Sequence, residues 1–219
     1  NLIWAIFKLA LVLALIAYGL VYYANNSSST LATNINQAFH QVELGFSGTS
    51  TSDVEKVVSN LSTTDTIPES NGARWAQNTA SIYIQSTDET LVAAYKEAIT
   101  SWNNTGAFIF TLTDDASTAD IVATDYSDVN SQAAGLADTQ TNVLTNRITH
   151  VDVKLNRYFL LNSDFGYTHK RIVNTAEHEL GHAIGLDHDD SKTSVMQSAG
   201  SYYGIQQVDI DTVHALYAN

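Results

Sequence analysis

The chain has 219 residues, with 23 acidic against 10 basic side chains and a formal net charge of −13. No Lys/Arg cluster is present to displace counterions from phosphate, which argues against nucleic-acid binding. Cysteine is absent, excluding disulfides and thiol chemistry, and charged residues make up only 15 % of the chain, so Ser, Thr, Asn and Gln supply the polar surface.

Leu2 to Tyr23 is apolar apart from Lys8, and about 20 such residues suffice to cross a bilayer core. Tyr18, Tyr22 and Tyr23 cluster at one end, as aromatic residues do at a membrane interface. Residues 1–24 are therefore expected to form a single transmembrane signal-anchor. A cleaved signal peptide, which would leave a secreted protein, is the rival reading. It needs small residues at its cleavage site, and Tyr22-Tyr23-Ala24 places bulky ones there. Lys8 lies near the start of the segment and no basic residue follows it until Lys56. That asymmetry puts the N-terminus in the cytoplasm and the remainder outside the cell.

Residues 25–72 read as a polar stalk or a short pro-region. The segment opens with Asn25-Asn26-Ser27-Ser28-Ser29-Thr30, a run unable to bury a core. Helical spacing is visible in Leu31 to Phe46 and in Val54 to Leu61. Pro68, the only proline, stands just before a compact domain expected over 73–219.

Within that domain, Ala80 to Gln85 alternates as a strand, and Glu89 to Trp102 carries Leu91, Val92, Tyr95, Ala98, Ile99 and Trp102 on one helical face. Ala107 to Thr113, Asp120 to Thr124 and Ile148 to Leu155 read as strands, Thr168 to Leu186 as a long helix, and Val208 to Ala218 as a final helix. Strands, a helix, more strands and two closing helices describe an α+β arrangement.

The long helix carries the chemistry: His178-Glu179-Leu180-Gly181-His182-Ala183-Ile184-Gly185-Leu186-Asp187-His188. Residues four apart on an α-helix are about 40° apart in projection and roughly 6 Å apart along the axis. His178 and His182 thus present their imidazoles to one metal ion. Glu179 is turned about 100° away and stands beside the metal, where a general base for an attacking water belongs. Gly185 suits a helix stop, and His188 follows as the third nitrogen. Three protein ligands leave one zinc position open, the mark of a catalytic site.

The run resembles the metzincin zinc-binding signature, and Met196, the only methionine, resembles the downstream Met-turn. The surroundings are most similar to the matrixin branch, from about Arg74 to the C-terminus. The similarity is carried by Arg74-Trp75, Ser81-Ile82-Tyr83-Ile84, Ala98 to Asn103, Ala119-Asp120-Ile121-Val122, Ala134-Gly135-Leu136-Ala137 and Asp209-Ile210-Asp211 through Leu216-Tyr217. It implies a twisted mixed sheet above the active-site helix, a C-terminal helix, and substrate bound extended along an edge strand near Gly135-Leu136-Ala137. It also implies an apolar Met196 floor beneath the histidines and a structural part for Asp209 and Asp211. Two departures stand out: Asp189 follows the third histidine where matrixins usually have Ser or Thr, and the Pro-x-Tyr wall after the Met-turn is missing, with Tyr202 and Tyr203 as substitutes. The lack of cysteine removes the cysteine switch by which many matrixins stay latent.

A single zinc is expected, because the family's structural zinc cluster has no counterpart. His40, His150, His169 and His214 are read as surface or core residues. Asp114, Asp115, Asp120, Asp125 and Asp128 offer oxygen ligands for calcium, against the plainer reading of solvated acids. The expected activity is zinc-dependent endopeptidase action on extracellular or cell-surface proteins, by a monomer held to the membrane, with Glu179 as general base. The alternative is a surface-binding module that keeps the fold with little catalysis.

Overall fold

The computed structural model describes residues 70, 72–131, 133–198 and 201–218, all of which belong to one unit, Thr63–Asn219. The expected membrane span, most of the stalk, and His40 lie outside the described residues. Among those described, no helix is long and apolar enough to cross a membrane.

Five strands form one sheet: β1 (Thr79–Ile84), β2 (Ile109–Leu112), β3 (Ile121–Tyr126), β4 (Gly135–Asn142) and β5 (Arg147–Asn156), in the order β2-β1-β3-β5-β4. β2, β1, β3 and β5 run parallel, and β4 runs antiparallel to β5 at one edge, with Ala137 opposite Val153. The helices are α1 (Glu89–Thr105), the short α2 (Arg157–Leu160), α3 (His169–Ala183) and α4 (Gln207–Tyr217). This is the α+β, mixed-sheet architecture expected from the sequence.

Alternation decides which face of the sheet is covered. Ala80 and Ile82 on β1, and Val151, Val153 and Leu155 on β5, are buried while most of their neighbours are only partly so. They meet Leu91, Tyr95, Ala98 and Trp102 of α1 and Ala176, Leu180 and Ala183 of α3. Each large apolar side chain so buried contributes roughly 1.5–3 kcal/mol.

Four local departures have identifiable causes. α1 runs to Thr105, past the expected Trp102, because Gly106 at φ 70° supplies the stop and returns its N–H to Asn103 O. α3 ends at Ala183, before the expected Leu186, because the chain turns at Gly185. β4 carries no apolar period in the sequence, where only the resemblance implied an edge strand near Gly135-Leu136-Ala137: its outer half is exposed, and Asp138, Thr139 and Gln140 show no apolar alternation. α2 is only four residues long, too short for a periodic signal, and is started by the Asn156 side chain accepting from Tyr158 N.

Candidate metal centre

Thr168 caps α3 by accepting from Arg171 N, and from Ile172 to Ala183 every residue is buried. A helix buried on all sides is fixed in rotation, so its polar residues point where the fold requires. Trp102 of α1 donates its indole N–H to Glu177 O (2.9 Å), gripping the turn just before the first histidine.

His178 Nδ1 lies 2.7 Å from Val195 O and His182 Nδ1 lies 2.8 Å from Leu186 O. A carbonyl can only accept, so each Nδ1 carries a hydrogen, which in the neutral ring leaves Nε2 with a bare lone pair. Such an outer hydrogen bond fixes the tautomer and ring orientation of a metal-binding histidine.

The third histidine returns through a tight turn. Gly185, at φ 96°, donates to His182 O (2.9 Å), and Leu186 donates to Gly181 O (3.0 Å). This 6→1 and 5→2 pair is a Schellman ending. It brings His188 Nε2 to 3.2 Å from that of His182 and 3.3 Å from that of His178, which are themselves 3.1 Å apart. Two zinc–nitrogen bonds of about 2.05 Å at a tetrahedral angle set their nitrogens roughly 3.3 Å apart. The triad therefore has the size a tetrahedral zinc requires, and its clustered nitrogen lone pairs call for a cation. Among the described residues, this is the group of three or more His, Cys, Asp or Glu side chains that can hold a metal ion.

Glu179 is only 1 % exposed. Its carboxyl group lies against Gly135 at the start of β4: a Cβ built there would fall 2.6 Å from both Cγ and Cδ of Glu179. The edge strand and the acid are thus neighbours. Burial, with a contribution from the Glu179 charge, pushes the Tyr95 hydroxyl well above its ordinary range, and the same two causes raise Tyr126. On α3, burial raises Glu177 above the usual carboxylate range against an opposing hydrogen bond from Ser101.

Met196 is buried directly against Gly181, where any side chain would meet its sulfur. Its carbonyl accepts from Asp189 N (2.9 Å), and its N–H donates to Ser194 Oγ (2.8 Å). Asp209, buried at the start of α4, accepts from Ser194 Oγ (2.5 Å), Val195 N (3.1 Å) and Gln206 N (2.7 Å). One carboxylate thus holds the segment whose Val195 carbonyl orients His178. Asp211 is bonded instead by Gln207 of its own helix.

The remaining sequence candidates lie elsewhere. The five acids offered for calcium do not gather: Asp115 binds Ser117, Asp120 binds Ser81, Asp125 pairs with Arg157 (2.7 Å) and Asp128 accepts from Asn130 N. His169 sits 2.9 Å from Glu97 and His150 3.6 Å from Asp152. Asp189 turns away from the histidines to accept from Ser191 N and Oγ, contacts that hold its carboxyl below the usual range. The Arg171 guanidinium lies over the Tyr202 ring, 4.5 Å from its centroid, and over the Tyr167 ring at 4.2 Å. Sequence reasoning did not assign the close fit of Gly135 to Glu179, although the Ala134-Gly135-Leu136-Ala137 run was its available signal.

A comparison with family profiles matches residues 74–218 to the matrixin family of M10 peptidases. A comparison with curated proteins found no match.

Proposed function

The chain belongs to the matrixin family of metallopeptidases, and from that premise we propose that it is a zinc-dependent endopeptidase acting on extracellular or cell-surface proteins. The observation that carries this reading is the convergence of three Nε2 atoms within 3.3 Å, two of them on rings oriented by Nδ1 bonds to backbone carbonyls, with Glu179 next in sequence to His178.

Zinc held by His178, His182 and His188 would supply a Lewis acid that lowers the pKa of a water and polarises the scissile carbonyl. Glu179 takes the proton from the attacking water and delivers it to the departing amine. The buried setting of Glu179 strengthens its interactions by excluding bulk water. β4 is an edge strand and Gly135 begins it beside Glu179, so an extended peptide adding to that edge runs alongside the acid. Extended binding across an edge favours cuts within a chain over removal of terminal residues.

The test is to incubate the protein with an unstructured polypeptide and sequence the new N-termini. Internal cuts are expected; trimming from the ends alone would contradict the endopeptidase reading. For location, we propose that residues 2–23 anchor the chain with the catalytic domain outside. Release by an alkaline carbonate wash would count against the anchor.

A further inference from the structure

We propose that Ser70 and Asp187 form a clasp that positions His188, making Ser70, Ala73 and Trp75 part of the metal centre's frame although they lie far away in sequence. The last carbonyls of a helix have no intrahelical partner, and the end of α3 must satisfy them while turning the chain back to the metal. Each has a traceable donor. Trp75 Nε1 donates to Ala183 O (2.8 Å), and the Tyr217 hydroxyl donates to Ile184 O (2.8 Å) while accepting from Trp75 N (3.3 Å). Ser70 Oγ has a single hydrogen, which Gly185 O (3.2 Å) shares with the Asp187 carboxylate, and His182 Nδ1 donates to Leu186 O (2.8 Å).

The next residue, Asp187, completes the ladder through its side chain. Its carboxylate accepts from Ser70 Oγ (3.0 Å) and from the Ser70 backbone N–H. Ala73, which donates to Ser70 O (2.9 Å), is buried with its carbonyl against Gly185, where a Cβ would lie 3.4 Å from the Ala73 carbonyl carbon. Residues 183, 185 and 187 are thus held directly by Ser70, Ala73 and Trp75, and 184 is held through Tyr217. Asp187 immediately precedes the third ligand, so its restraint limits where the His188 backbone can sit. Ser70 lies outside the span matched by the matrixin profile, 74–218, so this clasp belongs to the chain's own junction segment. The proposal rests on the zinc reading of the three histidines.

The experiment follows zinc transfer from the full-length zinc-loaded protein to a chromogenic chelator, alongside thermal melting of the chelated protein. Asp187→Ala is expected to release zinc roughly 10- to 100-fold faster, the scale seen when the outer partners of metal ligands are removed, with the melting of the chelated protein unchanged. Asp187→Asn, which keeps one acceptor oxygen, should recover part of the wild-type rate. Ser70→Ala should also accelerate release, but should add less in the Asp187→Ala background than it does alone, because only its bond to Gly185 O remains there. Wild-type release from Asp187→Ala, or effects of the two substitutions that multiply independently, would overturn the clasp while leaving the zinc site intact. A wild-type protein that held no zinc, or a His188→Ala variant that held it as tightly as wild type, would overturn the site reading and the clasp with it.

Discussion

Gly135 and Glu179 occupy adjoining space so closely that neither position tolerates additional bulk. A Cβ at Gly135 would fall 2.6 Å from Cγ and Cδ of the glutamate, well inside van der Waals contact. The first residue of the edge strand and the acid on the metal-bearing helix are therefore a matched pair. The lack of a side chain on one sets the place of the carboxylate on the other.

Gly135→Ala should push the Glu179 carboxyl group aside while leaving the three histidines in place. Overpacking of this kind costs about 1–3 kcal/mol, and a misplaced catalytic group loses on the order of 100-fold in rate. The expected result is full zinc content with turnover down 10- to 100-fold, read by metal analysis and a peptide-cleavage assay on the same sample. Wild-type turnover would show that the carboxyl group does not need its present place.

Glu179→Gln keeps the size of the side chain and removes its capacity to carry a proton. Loss of a positioned general base costs roughly 10²- to 10⁴-fold, so kcat should fall by that amount with zinc stoichiometry unchanged. A variant that cleaved peptides at a comparable rate would rule out Glu179 as the base.

Asp209→Ala should destabilise the domain. Three donors, Ser194 Oγ, Val195 N and Gln206 N, would lose their acceptor. Each buried group left unsatisfied costs about 1–3 kcal/mol, so a loss of at least about 3 kcal/mol is expected. For a domain of this size that corresponds to a fall in Tm of roughly 6–12 °C. Faster zinc release should accompany it, because Val195 carries the carbonyl that orients His178. An unchanged melting curve would contradict the anchoring role.

The metal centre was legible in the sequence because its chemistry is local. Two ligands and the acid share one helix, Gly185 announces the turn, and His188 follows three residues later. The core strands were legible for a similar reason, as Ile82 and Val153 stand in alternating runs and Ile121 opens a run of three buried apolar residues. β4 has no apolar period to detect, since the outer half of an edge strand is solvated, and only the resemblance pointed to an edge near Gly135-Leu136-Ala137. Long-range pairings were equally hidden. Nothing in the composition of either segment couples Ser70 to Asp187, and Asp209 reads as an ordinary first-turn acid until the fold brings Ser194 to it. The same holds for Tyr202, whose stack on Arg171 joins residues far apart in the chain.

The most direct test of the central claim is cleavage of a polypeptide substrate by the full-length protein before chelation, after chelation, and after zinc is restored. The account predicts that removing the metal abolishes cleavage, that about one equivalent of zinc restores it, and that His182→Ala is inactive under all three conditions. Cleavage that persists at the original rate in the chelated protein would contradict it.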